Sequence, residues 1–423
     1  MSEIRNNILN ESYQLVKTDC GLQIGCYNMP GYNAVHAVFA TNFGSVDRSF
    51  FMNGQRYDIP AGVAHFLEHK MFENEDGDAF DKYAKTGANA NAFTSFDKTC
   101  YIFTATDKID ESLDILLSFV TTPYFTPQTV EKEQGIIGQE IKMYEDHPGS
   151  AIYYNLLQAM YEKHQTRVDV AGTVESIAKI TPELLYDCYY TFYNFSNMTL
   201  CVSGRATMEE VLEIADRILP EREQKTIVRH YYDEKPEVYK KRVSASFEVS
   251  RPMFLIGIKD MNISENPDIR MKKRVAMSIL TDMLFGPTSD FAIDVYESGL
   301  VNGFSASYDH SFDSSRIFLD GETDEPETVY DQFVAYIEEN RKNGLCEEDF
   351  NRIKRASYAS YIKVFDSTKL AGDFTHMIHD ECDPFIFGDA LKNVTFDEVK
   401  ILFDELFHEE YYAMSIVTPL ESE

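Results

Sequence analysis

Residues 61–73 read AGVAHFLEHKMFE, and this run predicts a helix. On an α-helix, positions four apart lie on one face, one turn above the other, so His65 and His69 can turn both imidazoles toward a single point while Glu68 sits beside them. Two ring nitrogens and a carboxylate suit a zinc ion, which takes three protein ligands and keeps a fourth position open when it is catalytic. HFLEH is also H-x-x-E-H, the reverse order of the H-E-x-x-H zinc motif. A third ligand has to come from elsewhere in the chain.

Outward from that helix, the pattern alternates between strands and helices. Upstream, QIGCYNM (23–29) and AVHAVFATNFG (34–44) read as strands. Downstream, NANAFTSF (89–96) and TCYIFTATD (99–107) read as two strands joined by a turn, followed by helices at SLDILLSFV (112–120), TPQTVEKEQGIIGQEIKMYE (126–145) and SAIYYNLLQAMYEKH (150–164). Thr126, Pro127 and Gln128 mark a helix start, and Pro148 a stop soon after Glu145. A strand (198–204) and a helix (208–219) close this half. From about 220 to 243 the chain is charged and lacks amphipathic period, which reads as a linker. The second half then repeats the order of the first: strands at 245–249 and 253–259, helix at 270–285, paired strands at 303–310 and 316–322, helices at 327–344 and 347–365, and a closing strand at 411–418. The expected fold is α+β, in two similar halves, each a mostly antiparallel sheet packed with helices. The expected boundaries are a metal-binding domain over 1–222, a linker over 223–243 and a second domain over 244–423 that lacks the histidine motif.

Composition narrows the function. The 423 residues are 44% hydrophobic and 26% charged, as in folded proteins, and the length suits two or three domains. Lys plus Arg number 39 against 70 Asp plus Glu, a net charge of −31 that repels a phosphate backbone, so nucleic acid is a poor partner and a basic peptide a better one. No apolar stretch approaches a membrane span, and MSEIRNNILNESYQL has neither the basic nor the apolar region of a secretory signal. Seven scattered cysteines without a CxxC pair fit reduced thiols in the cytoplasm. His376, His379 and Asp380 offer a second, weaker spacing for a metal.

Two further stretches carry a resemblance. EQGIIGQE places Glu133 and Glu140 seven apart on one helical face, and NAFTS spans Asn91 to Ser95. Together with HFLEH they resemble the pitrilysin/insulinase family of inverted zinc metallopeptidases, which includes the mitochondrial processing peptidases. EKEQGIIGQEIKMYEDHP (131–148) and DVAGTVESI (169–177) are most similar to its bacterial YmfH-type members. The resemblance implies a Zn2+ held by His65, His69 and Glu140, with Glu68 as general base and Glu133 as a supporting carboxylate. It also implies a substrate-binding edge at Asn91, Ala92 and Phe93, where an extended peptide adds as a strand. The implied activity is endopeptidase cleavage of extended peptides in a closed chamber. One departure stands in the second half. Active members carry an Arg and a Tyr seven residues apart, but alignment of ESGLVNGFS (297–305) puts Val295 and Asn302 there, with Tyr308 and Arg316 nearby at the wrong spacing. Division of labour in a heterodimer, in which a homologous subunit supplies the Arg and Tyr, explains the gap; a homodimer is the alternative. Removal of leader peptides from ribosomally made, modified peptides and a non-catalytic structural role are the competing functions.

Overall fold

The computed structural model describes residues 2–6, 8–52, 54–222, 224–230, 232–379 and 382–420. Its contacts sort into two compact units. One contains Met1–Ile141, Asp169–Tyr231 and Ile362–Phe385; the other contains Lys142–Val168, Tyr232–Tyr361 and Ile386–Glu423.

The first unit is built on a seven-stranded sheet in the order Ser2–Asn6, Glu11–Lys17, Gln23–Asn28, Met198–Gly204, Val35–Thr41, Thr99–Ala105, Asn89–Thr94. Only the pairing of Met198–Gly204 with Gln23–Asn28 is parallel; the others are antiparallel. Val35–Thr41 and Met198–Gly204 are buried throughout, as expected of central strands covered on both faces. The second unit repeats the plan in five strands: Arg242–Phe247, Tyr412–Pro419, Met253–Asp260, Ser315–Glu322, Asn302–His310, again with one parallel pair, the first. Met198–Gly204, the last strand in sequence of the first sheet, lies between Gln23–Asn28 and Val35–Thr41, as Tyr412–Pro419 lies between Arg242–Phe247 and Met253–Asp260 in the second, and in each sheet the member of the hairpin that comes earlier in sequence forms an edge. The α+β class and the repeated halves expected from the sequence are therefore what the backbone adopts.

Two helices are exchanged between the sequence halves. Pro148–Met160 packs on the five-stranded sheet, where Gly257 has no side chain and Leu156 and Met160 fill the space that a Cβ would take. Leu370–His379 packs on the seven-stranded sheet. There Phe374 meets the rings of Tyr13 and Tyr27 at 5.2 and 5.6 Å, and the Ala371 N–H donates to Ser203 Oγ at 2.9 Å. A single cut between 222 and 244 groups each of these helices with the sequence half whose sheet it does not pack on.

The charged stretch read as a linker is held at both ends. Val228–Arg229 pairs with Phe50 and Phe51, and Arg229 Nε donates to the buried Asp47 at 2.6 Å. Beyond it, Glu234 accepts from the backbone N–H groups of Glu162, Lys163 and His164 and pairs with Lys259 at 2.9 Å, both side chains being at most 1% exposed. Burial works to raise the Glu234 carboxyl, but the Lys259 ammonium and the backbone donors outweigh it and hold it below its ordinary value.

Candidate metal centre

The motif helix runs Val63–Phe72. Phe66, Leu67 and Met71 are 0–1% exposed and turn into the core of the first unit, each burial contributing about 1.5–3 kcal/mol, which fixes the rotation of the helix. His65 and His69 consequently share the half-open face, their ring centroids 4.6 Å apart. The helix begins at Gly62, whose φ of +90° favours glycine and whose missing Cβ leaves room for the Ala171 carbonyl. Ser176 Oγ donates to the Ala61 carbonyl at 2.9 Å, so DVAGTVESI forms the seat on which the motif helix starts.

The second helix runs Pro127–Glu145 and carries Glu133 and Glu140. Lys132 on it reaches Glu73, at 3.5 Å, and Glu73 also pairs with the buried Lys70 of the motif helix, so one carboxylate bridges the two helices. Glu140 Oε1 lies 3.8 Å from His65 Nε2, and Glu140 Oε2 lies 3.5 Å from His69 Nε2. Among the described residues, His65, His69 and Glu140 form a group whose ligand atoms all fall within 4.8 Å of one another. Tetrahedral zinc with ligand bonds near 2.1 Å needs separations of about 3.4 Å, so the donor set fits a zinc ion once the three side chains draw together from a spread of up to 4.8 Å. Asp380, part of the weaker spacing, lies outside the described residues.

Charge and tautomer suit a cation. Burial, helped by His69, pushes His65 down to about 3, so this ring is neutral at pH 7. Burial also works to lower His69, but its hydrogen bond to Glu133 and the charges of Glu68, Glu133 and Glu140 prevail and raise it. The His69 Nδ1–H donates to Glu133 Oε1 at 3.1 Å, which leaves Nε2 turned toward Glu140. His65 Nδ1 is buried without a hydrogen-bond partner among the described residues. Glu68 is 9% exposed, and burial, reinforced by Glu140, outweighs Thr94 and His69 to raise its carboxyl above the usual range.

Asn91, Ala92 and Phe93 lie on Asn89–Thr94, the edge of the seven-stranded sheet, which among the described residues is paired on one side only, with Thr99–Ala105. Asn91 and Phe93 are exposed, while Ala90 and Ala92 pack on the core. Sequence reading misses Thr94, whose hydroxyl donates to Glu68 Oε2 at 2.8 Å; strand alternation, which sets it opposite to Phe93, is the available signal. In the second unit, Val295 is fully buried on the helix Asp290–Glu297, and Asn302 opens the edge strand Asn302–His310. Arg316 is 1% exposed and donates to Asp309 at 2.7 Å, and Tyr308 is half-buried beside His310.

A helix bearing H-x-x-E-H, met by a carboxylate from a second helix on an α+β scaffold, defines the inverted zincin class. Residues 50–174 match the insulinase (peptidase family M16) domain, and residues 179–357 the peptidase M16 inactive domain. The chain belongs to the M16 insulinase peptidase family. Among its relatives, the Bacillus subtilis (strain 168) protein named uncharacterized zinc protease YmfH is 35% identical over 409 residues, 94% of each chain. A second protein of that strain, named uncharacterized zinc protease YmxG, is 24% identical over 386 residues, 86% of this chain and 91% of the other. The crystal structure named for an M16-like peptidase from Alicyclobacillus acidocaldarius superposes with a TM-score of 0.93 at 34% identity, covering 96% of this chain and 98% of that one. No helix among the described residues is long and apolar enough to cross a membrane.

Proposed function

We infer that this chain is the zinc-bearing subunit of a metalloendopeptidase that cuts extended peptides inside a closed chamber. The convergence of His65 Nε2, His69 Nε2 and a Glu140 carboxylate carries the reading. These three side chains would hold the ion, and Glu133 would fix the His69 tautomer. When bound, zinc supplies Lewis-acid polarisation of the scissile carbonyl and makes water acidic enough to attack near neutral pH. Glu68 takes the proton of the attacking water and delivers it to the leaving amine, and its raised carboxyl suits both directions of transfer. The open edge at Asn91, Ala92 and Phe93 offers main-chain hydrogen bonds to an extended substrate, demanding little of its sequence.

What surrounds the missing donors supports a heterodimer. Val295 is a core residue, Asn302 carries a neutral amide, and Arg316 is buried against Asp309 with Tyr153 and Tyr161 close by, committed to its own unit. Donors aimed at the carbonyl oxygen typically contribute a few kcal/mol to the transition state, so a homologous subunit that retains the Arg and Tyr completes the site. The free thiols of Cys20, Cys26, Cys100, Cys188, Cys201 and Cys346 support a cytoplasmic location. The test is co-purification from the native host, with metal analysis and cleavage of an unfolded peptide on the same sample. About one zinc per chain with peptide cleavage is the expected result; protein that neither holds nor takes up zinc overturns it.

A further inference from the structure

We propose that Thr94 is a positioning residue for Glu68, an inference that rests on Glu68 being the general base. Thr94 Oγ1 donates to Glu68 Oε2 at 2.8 Å and lies 3.4 Å from Thr99 Oγ1, its cross-strand partner. The Thr99 hydroxyl has one proton and spends it on the Phe43 carbonyl at 2.8 Å. The Thr94 proton is therefore the only hydroxyl proton between the two threonines, and it goes to the nearer acceptor, which is also the charged one. Glu68 makes no other side-chain hydrogen bond among the described residues; His69 and Glu140 act on it through charge alone. A glutamate has three side-chain torsions, and anchoring Oε2 selects one arrangement while leaving Oε1 to exchange the proton. Thr94 is also the last residue of the edge strand Asn89–Thr94. The strand that would receive the peptide thus ends in the group that orients the base, so peptide and base are registered through one short piece of backbone.

The test compares Thr94→Val, which keeps the shape and removes the hydroxyl, with Thr94→Ser, which keeps the hydroxyl, and with Glu68→Gln. Each is made in the zinc-loaded protein purified with its native partner and assayed on a quenched-fluorescence unfolded peptide. Thr94→Val should lower kcat about ten- to hundredfold with KM and zinc content unchanged, and Thr94→Ser should recover most of the loss. In crystal structures Glu68 should hold one rotamer in Thr94→Ser and spread over several in Thr94→Val. Wild-type kcat in Thr94→Val beside an inactive Glu68→Gln overturns the inference, as does a Thr94→Ser variant as slow as Thr94→Val. Loss of zinc or of the thermal transition in Thr94→Val also overturns it, because the hydroxyl would then serve the fold. An active Glu68→Gln would instead remove the base assignment itself.

Discussion

At the scale of single residues, substitutions can separate the proposed ligand role from the proposed proton-transfer role. Glu68→Gln should retain zinc and lose a hundredfold or more of turnover, whereas Glu140→Gln or His69→Ala should lose zinc; elemental analysis beside kinetics checks both. A Glu68→Gln enzyme as fast as wild type would mean that another group is the base. The raised His69 gives a pH dependence of definite sign. Its imidazolium persists to higher pH than an ordinary histidine and repels a cation, so zinc uptake by stripped protein should weaken as the pH falls through the raised value, with proton release on binding. In the metal-free protein the sign reverses. The charged pair with Glu133 stabilises the fold below pH 6.5 and is lost as the pH rises through the raised value. A chelator competition that gives one affinity across that range would argue against His69 as a ligand.

At the scale of elements, the candidate metal centre depends on how two helices are seated. Gly62→Ala puts a Cβ at φ +90° and against the Ala171 carbonyl, a strain of more than about 1–2 kcal/mol that should lower the melting temperature and loosen zinc together. Glu234→Gln should destabilise by about 3–5 kcal/mol in chemical denaturation, because the Lys259 ammonium then has no buried counter-charge. Unchanged stability in that variant would mean the pair is replaceable. These elements also divide by how far their residues announce them. HFLEH carries its own spacing, so the two candidate histidine donors and their helix are legible in the residues themselves, whereas EQGIIGQE shows a helix with two carboxylates on one face and only the family resemblance singles out Glu140. The segment 224–243 is not, since its partners are the backbone of 162–164, Asp47 and Lys259, all remote in sequence, and a charged stretch without period gives no hint of them. The strands Ser2–Asn6 and Glu11–Lys17 escape sequence reading for a related reason: they lie toward the edge and are mostly half-exposed, so their alternation is weak.

At the scale of the whole molecule, the proposal of a partnered peptidase predicts little activity for the isolated chain and a marked gain on adding a homologous subunit with both Arg and Tyr. Full activity of the chain alone, lost in Tyr308→Phe or Arg316→Ala, would favour the homodimer instead. Arg316→Ala is read together with its melting temperature, since that side chain is buried. Unfolded basic peptides should be cut in preference to compact proteins, and more readily at low salt, given the charge of −31.

The exchanged helices have a further consequence, in the order of events during synthesis. The seven-stranded sheet has all its strands once residue 204 has been made, yet Leu370–His379, which covers it, is translated much later. At 5–20 residues per second the delay is on the order of 10 s or more, during which the nascent sheet stays uncovered on that face. The first unit should therefore mature only after residue 379 has been made. Chains stalled before residue 370 should hold chaperones and be cut by protease within the sheet, and pulse-labelled ribosome complexes of increasing length would show protection arising in one late step.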